Sequence, residues 1–135
     1  MFRYLVDTNI LGYLLRNANA GLVRRMRSGM AAGEVAISVV TRAETRFGQA
    51  SMDQRDKRRV SVDLLLQEMS VLEWTSNAAD QYGALAAHLQ TKGQPIGIFD
   101  TMIAAHALAE GLTVVTHNTR YFKRVPDLAV VDWMT

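Results

Sequence analysis

The sequence predicts an α/β domain whose central parallel sheet is covered by helices on both faces. Short apolar runs alternate with longer segments of helical period, and this alternation is typical of a parallel sheet buried between helices. No linker-like segment or internal repeat divides the 135 residues, which indicates a single domain over residues 1–135. A hydrophobic content of 49% is enough for a core that folds without covalent crosslinks.

The apolar runs and the periodic segments follow one another in a regular order. The expected strands are FRYLV at 2–6, EVAI at 34–37, SVLEW at 70–74, TVV at 113–115 and AVV at 129–131. The expected helices begin near Ile10 and near Val39 and cover about 53–68, 77–92 and 99–110. Ser76 or Asn77 can cap the helix that precedes Gly93, and Gly111 follows the end of the next helix. Right-handed crossovers then place all strand carboxyl ends along one edge, where open α/β sheets bind ligands.

Composition excludes several classes of protein. The chain has no cysteine, so disulfides and thiolate metal sites are excluded, and any metal must bind oxygen or nitrogen. No apolar run approaches the roughly 20 residues that a bilayer requires, and the N-terminus does not have the pattern of a signal peptide. We therefore expect a soluble, cytoplasmic protein that does not contact a membrane.

Charge is distributed unevenly along the chain. Residues 1–60 hold 11 Lys and Arg against 5 Asp and Glu, whereas residues 61–135 hold 4 against 8. The basic residues form three clusters: Arg24, Arg25 and Arg27; Arg55, Lys57, Arg58 and Arg59; and Arg120, Lys123 and Arg124. Such clusters can attract phosphates, although each could also be a solvated helix face.

Three carboxylates occur at positions where apolar side chains are expected. Asp7 directly follows the first apolar run, at the carboxyl end of the predicted strand. Glu44 lies on the apolar stripe of its helix, which comprises Val40, Ala43, Glu44 and Phe47. Asp100 occupies the first turn of an otherwise apolar helix. Each acid is therefore expected near the same edge of the sheet.

Each acid also has a purely structural explanation. Asp7, Thr8 or Asn9 could cap the first helix, Glu44 could pair with an arginine, and Asp100 could cap its helix or respond to the helix dipole. These explanations do not account for the coincidence, because three converging carboxylates repel one another strongly unless a cation is present. Oxygen ligands without cysteine point to Mg²⁺ or Mn²⁺ as that cation.

Two further polar residues follow the strand TVV at the same predicted edge. Thr116 and Asn118 come directly after it, and Asn118 could ligate weakly or position water. His117 adjoins Asn118, but neighbouring side chains of extended chain point apart, so its role stays open. His88 and His106 lie on helices and are interpreted as core or surface residues.

Four motifs in order resemble the PIN-domain family, and within it the VapC ribonuclease toxins of bacterial type II toxin–antitoxin pairs. They are DTN at 7–9, SVVTRAE at 38–44, PIGIFDTMIAAHAL at 95–108 and VVTHNTRYFKRVPDLAVVDW at 114–133. The resemblance runs from end to end. It implies a three-layer α/β/α fold, a divalent-metal-dependent endoribonuclease acting on a structured RNA such as tRNA, and a cognate VapB-like antitoxin. It also implies a homodimer or a hetero-oligomer with that antitoxin.

The resemblance assigns roles to particular residues. It implies that Asp7, Glu44 and Asp100 are the catalytic metal ligands and that Asn118 takes the fourth catalytic position, which is acidic in many PIN nucleases. With one acid fewer, a second tightly held metal is not assured.

Other motif positions are implied to assist the acids or differ from the usual pattern. Thr8, Asn9 and Thr116 match positions that act through hydrogen bonds and position substrate or water. Relatives usually have Asn at position 117 and Glu at position 121, where this chain has His117 and Tyr121.

The reaction expected from these residues is hydrolysis of a phosphodiester bond without a protein nucleophile. One or two metals would activate water and stabilise the charge on the phosphate, and the clusters near Arg24 and Arg58 would hold the RNA backbone. Two alternatives are a Mg²⁺-binding receiver-like module that accepts a phosphoryl group on Asp7, and a catalytically inactive RNA-binding module. The order of the acids along the chain argues against the receiver.

Overall fold

The computed structural model describes residues 1–135 and contains five strands and seven helices. The strands are β1 (Tyr4–Val6), β2 (Val35–Ser38), β3 (Ser70–Leu72), β4 (Thr113–Val115) and β5 (Val130–Val131). The helices are α1 (Thr8–Leu15), α2 (Ala20–Ala31), α3 (Val39–Ala50), α4 (Arg58–Glu68), α5 (Ser76–Thr91), α6 (Ile98–Glu110) and α7 (Thr119–Phe122). No helix is both long enough and apolar enough to cross a bilayer.

The five strands form one parallel sheet in the order β3-β2-β1-β4-β5, which confirms the predicted fold class. Strand β1 is central, and its Leu5 is aligned with Ala36 of β2 and Val114 of β4. Because parallel strands all end on the same side, the residues after β1 and β4 are neighbours at one edge. This register brings the segments that begin at Asp7 and at Thr116 next to each other.

The sheet has a hydrophobic core on each face, because successive strand residues point to opposite sides. Leu5 and Val114 belong to one core, together with residues of α5, α6 and α7. Val6 and Val115 belong to the other, together with residues of α1, α2 and α4. The expected three layers are therefore confirmed. The same alternation directs the next residues, Asp7 and Thr116, toward the α6 side.

All five predicted strands are present, but several helix boundaries differ from the prediction. Helix α1 begins at Thr8 rather than Ile10, because Asp7 supplies its N-terminal cap. Helix α4 begins at Arg58 rather than near 53, because the side chains of Asp53 and Asp56 accept hydrogen bonds from backbone N–H groups two residues later and hold turns.

Caps explain most of the remaining differences. Thr75 caps α5, in place of the predicted Ser76 or Asn77. Asn19 caps α2, which was not predicted as a separate helix, and α7 was not predicted at all. The predicted glycine after α6 is confirmed: Gly111 adopts a φ of 68°, a left-handed conformation that glycine reaches without a steric penalty.

Candidate functional site

Asp7 lies at the carboxyl end of the central strand and is only 2% exposed. Its Oδ1 atom accepts a hydrogen bond of 3.1 Å from the N–H of Ile10, and this bond caps α1. Its Oδ2 atom accepts a hydrogen bond of 2.5 Å from the hydroxyl of Thr116. Capping is therefore one role of Asp7, as the structural alternative expected. An N-terminal cap does not require burial, however, so capping does not explain why a carboxylate occupies this position.

The pKa of Asp7 shows that the three acids affect one another. Burial raises the pKa of the Asp7 carboxyl to about 6, although the hydrogen bonds from Thr116 and Ile10 act in the opposite direction. The negative charges of Asp100 and Glu44 raise this pKa further. The sheet edge therefore holds carboxylates close enough to repel one another.

Asp100 is the third residue of α6 and is half-buried. Burial raises the pKa of the Asp100 carboxyl to about 6, and the charge of Glu44 adds to this effect. Helix α6 has no side-chain cap, since its N-cap residue is Gly97, so the capping alternative for Asp100 is wrong. Its place in the first turn still allows a favourable interaction with the helix dipole.

Glu44 is half-buried on α3, and its Oε1 atom accepts a hydrogen bond of 2.6 Å from the hydroxyl of Thr8. The pairing with arginine that was considered for it is absent, because none of the four ion pairs in the structure includes Glu44. The prediction that its whole stripe faces inward is also wrong. Val40 is buried, but Ala43 is exposed and Phe47 is 75% exposed. The periodicity identified an apolar face of α3, but could not show whether another element covers it.

Glu44 and Asp100 line one cavity of about 270 Å³ at this edge, together with Thr8 and Asn9. Asn9 is exposed and is part of the cavity wall. Asp7 is not among the lining residues and interacts with this group electrostatically.

The three acids suit a hard divalent cation by their chemistry, since their donors are all oxygen and no Lys, Arg or His pairs with them. Their side chains are nevertheless not gathered into a formed ligand set. No group of three His, Cys, Asp or Glu side chains has the spacing of a metal site. The three acids are therefore close enough to raise the pKa values of Asp7 and Asp100, but they are not arranged in the geometry of a metal site.

Thr116 connects Asp7 to the fourth predicted position. Its completely buried hydroxyl accepts a hydrogen bond of 2.9 Å from the N–H of Asn118 and donates to Asp7. The side chain of Asn118 is half-buried and does not cap α7. His117 points elsewhere, as its alternation with Asn118 predicted: its Nδ1 lies 2.9 Å from a carboxylate oxygen of Asp132.

We expect Thr116→Val to raise the pKa of the Asp7 carboxyl. Valine has nearly the shape of threonine but cannot donate to the carboxylate of Asp7, and this hydrogen bond favours the ionised form. The pKa can be measured by NMR titration of the Asp7 carboxyl carbon. Thr116→Ser keeps the donor and serves as the control. An unchanged Asp7 pKa in Thr116→Val would contradict the assignment.

The basic clusters do not all remain available for a ligand. Arg58 pairs with Asp56 at 2.6 Å, and Arg59 donates to the backbone carbonyls of Gln49 and Met52. These two side chains of the second cluster are therefore engaged in holding the segment between α3 and α4. Fewer basic side chains of the cluster near Arg58 are therefore free to hold RNA than the sequence suggested.

Comparison with known proteins gives consistent results from sequence and from structure. The family model described as PIN domain matches residues 4–128. The tRNA(fMet)-specific endonuclease VapC of Shigella flexneri is 35% identical over 133 residues, covering 98% of this chain and 99% of the relative. Ribonuclease VapC2 of Rickettsia felis is 30% identical over 130 residues, covering 96% and 97%. The DNA-bound VapBC structure from Salmonella typhimurium superposes with a TM-score of 0.91 at 31% identity, covering 98% and 99%.

Proposed function

The chain belongs to the PIN domain family, and we propose that it is a divalent-metal-dependent endoribonuclease that acts as the toxin of a type II toxin–antitoxin pair. The observation that carries this proposal is the group formed by Asp7, Glu44 and Asp100 at the carboxyl edge of the sheet. These acids repel one another and no basic side chain neutralises them. The match to the PIN domain also disfavours the receiver-like alternative.

Each acid would contribute to holding Mg²⁺ or Mn²⁺. Asp7 and Asp100 would be the primary ligands, and Glu44 would be a ligand either directly or through water. When bound, the ion supplies Lewis acidity toward the attacking water and toward the scissile phosphate. Because the pKa values of Asp7 and Asp100 lie near 6, both carboxylates are mainly ionised at pH 7.5 and can act as ligands.

The neighbouring polar residues would orient the acids and the substrate. The hydroxyl of Thr116 holds the carboxylate of Asp7, and the hydroxyl of Thr8 holds that of Glu44. Asn9 lines the cavity, where its amide group would position water or a phosphate oxygen, and Asn118, whose side chain does not cap α7, would do so beside Thr116. With these groups in place, hydrolysis needs no protein nucleophile.

We propose a structured RNA such as tRNA as the substrate. The support is the name of the Shigella flexneri relative, a tRNA(fMet)-specific endonuclease that aligns over nearly the whole chain. The Rickettsia felis relative is named a ribonuclease without a stated substrate, so the proposal for this chain is limited to the class of RNA.

We propose a VapB-like antitoxin as the cognate partner. The structural neighbours include VapBC structures from Rickettsia felis, Salmonella typhimurium and Haemophilus influenzae. Next to the acids, Phe47 is 75% exposed and Phe99 is 53% exposed, so an apolar segment of a partner could bury both rings. A homodimer, alone or within the complex with the antitoxin, remains a prediction.

The proposed activity can be tested with the purified chain and a tRNA pool. We expect discrete cleavage products with Mg²⁺ or Mn²⁺ and none with EDTA, and sequencing of the new RNA ends should identify the substrate. An Asp7→Asn preparation made in parallel detects contaminating ribonuclease. Asp80→Asn, which changes an exposed carboxylate on α5, is the matched control. Equal cleavage with and without EDTA would contradict the proposal.

A further inference from the structure

A buried polar pair lies in the core near the proposed site. His106 and Ser38 are both completely buried, and the Nδ1 atom of His106 lies 2.8 Å from the hydroxyl oxygen of Ser38. The ring of Trp74 packs against the imidazole with its centroid 5.5 Å away. Burial lowers the pKa of His106, which favours the neutral imidazole. This pair has no part in the proposed chemistry.

The hydrogen bonds of Ser38 indicate which ring nitrogen of His106 carries the proton. The Ser38 oxygen already accepts a hydrogen bond of 3.0 Å from the N–H of Val40 and thereby caps α3. If the Ser38 hydroxyl donates to Nδ1, only the Nε2–H group of His106 is left without a partner. The other tautomer would leave both Nε2 and the Ser38 hydroxyl without one. Nε2 has no hydrogen-bond partner, and the nearby backbone of Glu73 acts on the imidazole only by opposing the lowering of its pKa.

The position of this pair relates it to the two acids at the cavity. Six residues along α3 from Ser38 lead to Glu44, and six residues back along α6 from His106 lead to Asp100. Glu44 and Asp100 line the same cavity and Ser38 contacts His106, so α3 and α6 come together at both pairs of positions. The hydrogen bond between Ser38 and His106 links the start of α3 to α6. Measured along the helix axes, this hydrogen bond lies about 9 Å from Glu44 and Asp100.

We propose that His106 is a positioning residue for the metal site: through Ser38 it fixes α3 against α6, and so sets the separation of Glu44 and Asp100. This inference rests on the proposed function, because it concerns the cation that the acids would hold. An apolar residue in place of His106 would fill the same core but could not hold the start of α3. Burying Nε2 of His106 without a hydrogen-bond partner costs free energy. A role of His106 in positioning α3 gives a reason for a histidine at this place in the core despite that cost.

The test measures Mn²⁺ binding to the whole chain by calorimetry, without RNA. We expect His106→Leu and Ser38→Ala each to weaken Mn²⁺ binding by about 10-fold, the lower end of the effect of losing groups that orient metal ligands, because Glu44 and Asp100 would no longer be held at one separation. Ser38→Ala also removes the cap of α3, so the double variant should bind Mn²⁺ no more weakly than Ser38→Ala alone, which already lacks the hydrogen bond to His106. His106→Asn can still accept from Ser38 and should bind within about threefold of wild type. With RNA, the loss should appear in kcat at low Mn²⁺ and disappear at saturating Mn²⁺.

A core substitution on the opposite face of the sheet separates positioning from general destabilisation. Met26→Ala removes a buried side chain of α2 and should leave Mn²⁺ affinity unchanged while lowering the melting temperature. Wild-type affinity in His106→Leu, or equal weakening in Met26→Ala, would overturn the inference. If His106→Leu does not fold, Ser38→Ala is subject to the same two criteria. Failure of the wild type to bind Mn²⁺ and cleave RNA would instead overturn the proposed function, and this inference with it.

Discussion

Replacing Asp7 by asparagine is expected to reduce RNA cleavage by about 10³-fold or more, because a bound metal contributes several kcal/mol to stabilising the transition state. Asparagine keeps the size of the side chain and an oxygen that can still cap α1, so the fold should survive. It lacks the negative charge that would hold the cation. The measurement is the single-turnover cleavage rate of a tRNA pool at saturating Mg²⁺.

The same substitution is expected to stabilise the metal-free protein. Burial raises the pKa of Asp7 from 3.8 to about 6, so ionisation of this group at pH 7.5 opposes folding by about 3 kcal/mol. A neutral amide avoids this cost, although it cannot accept hydrogen bonds from both Ile10 and Thr116. Loss of activity together with a higher melting temperature is expected of a residue whose buried charge serves function at a cost in stability.

Two further variants test whether the loss of cleavage and the gain in stability are specific to Asp7→Asn. Asp100→Asn should lose cleavage to a similar extent but gain less stability, because Asp100 is only half-buried. Asp80→Asn, which changes an exposed carboxylate, should leave both the rate and the melting temperature unchanged. Metal-dependent cleavage at the wild-type rate by Asp7→Asn would refute the role assigned to Asp7.

The metal-free protein should also lose stability as the pH rises from about 5 to about 7.5. An acid whose pKa is higher in the folded state binds more protons folded than unfolded between the two pKa values. For Asp7 these values are 3.8 and about 6, so its contribution to stability is complete below the lower value and is lost as the pH rises through the higher one. Over this range Asp7 alone should lower the free energy of unfolding by about 1 kcal/mol.

The prediction is best measured as a difference between wild type and Asp7→Asn in urea unfolding at each pH. His106 titrates in the opposite sense, since its pKa is lowered by burial, but it is common to both proteins and cancels. Asp100 contributes a smaller slope of the same sign as Asp7, because it is half-exposed, and this contribution is likewise common to both proteins and cancels. Saturating Mg²⁺ should reduce the slope, since a bound cation favours the ionised acids. A wild-type slope identical to that of Asp7→Asn would show that Asp7 titrates normally.

The sequence by itself determined the architecture and the place of the site. Strand and helix periods are local properties, so all five strands and five of the seven helices could be predicted with boundaries a few residues off. A parallel sheet then forces its strand ends to one edge, which is sufficient to place Asp7 near Thr116.

The tertiary structure alone decided how each polar group is neutralised or held. The hydrogen bond from Thr116 to Asp7 spans 109 residues of sequence, and the pair from Ser38 to His106 spans 68. A local pattern can show that a side chain is polar on an apolar face, but not which distant group meets it. For the same reason, the periodicity of α3 could not show that Phe47 is left uncovered. Partner choice depends on how helices pack across the sheet, and helix packing is a property of the whole fold.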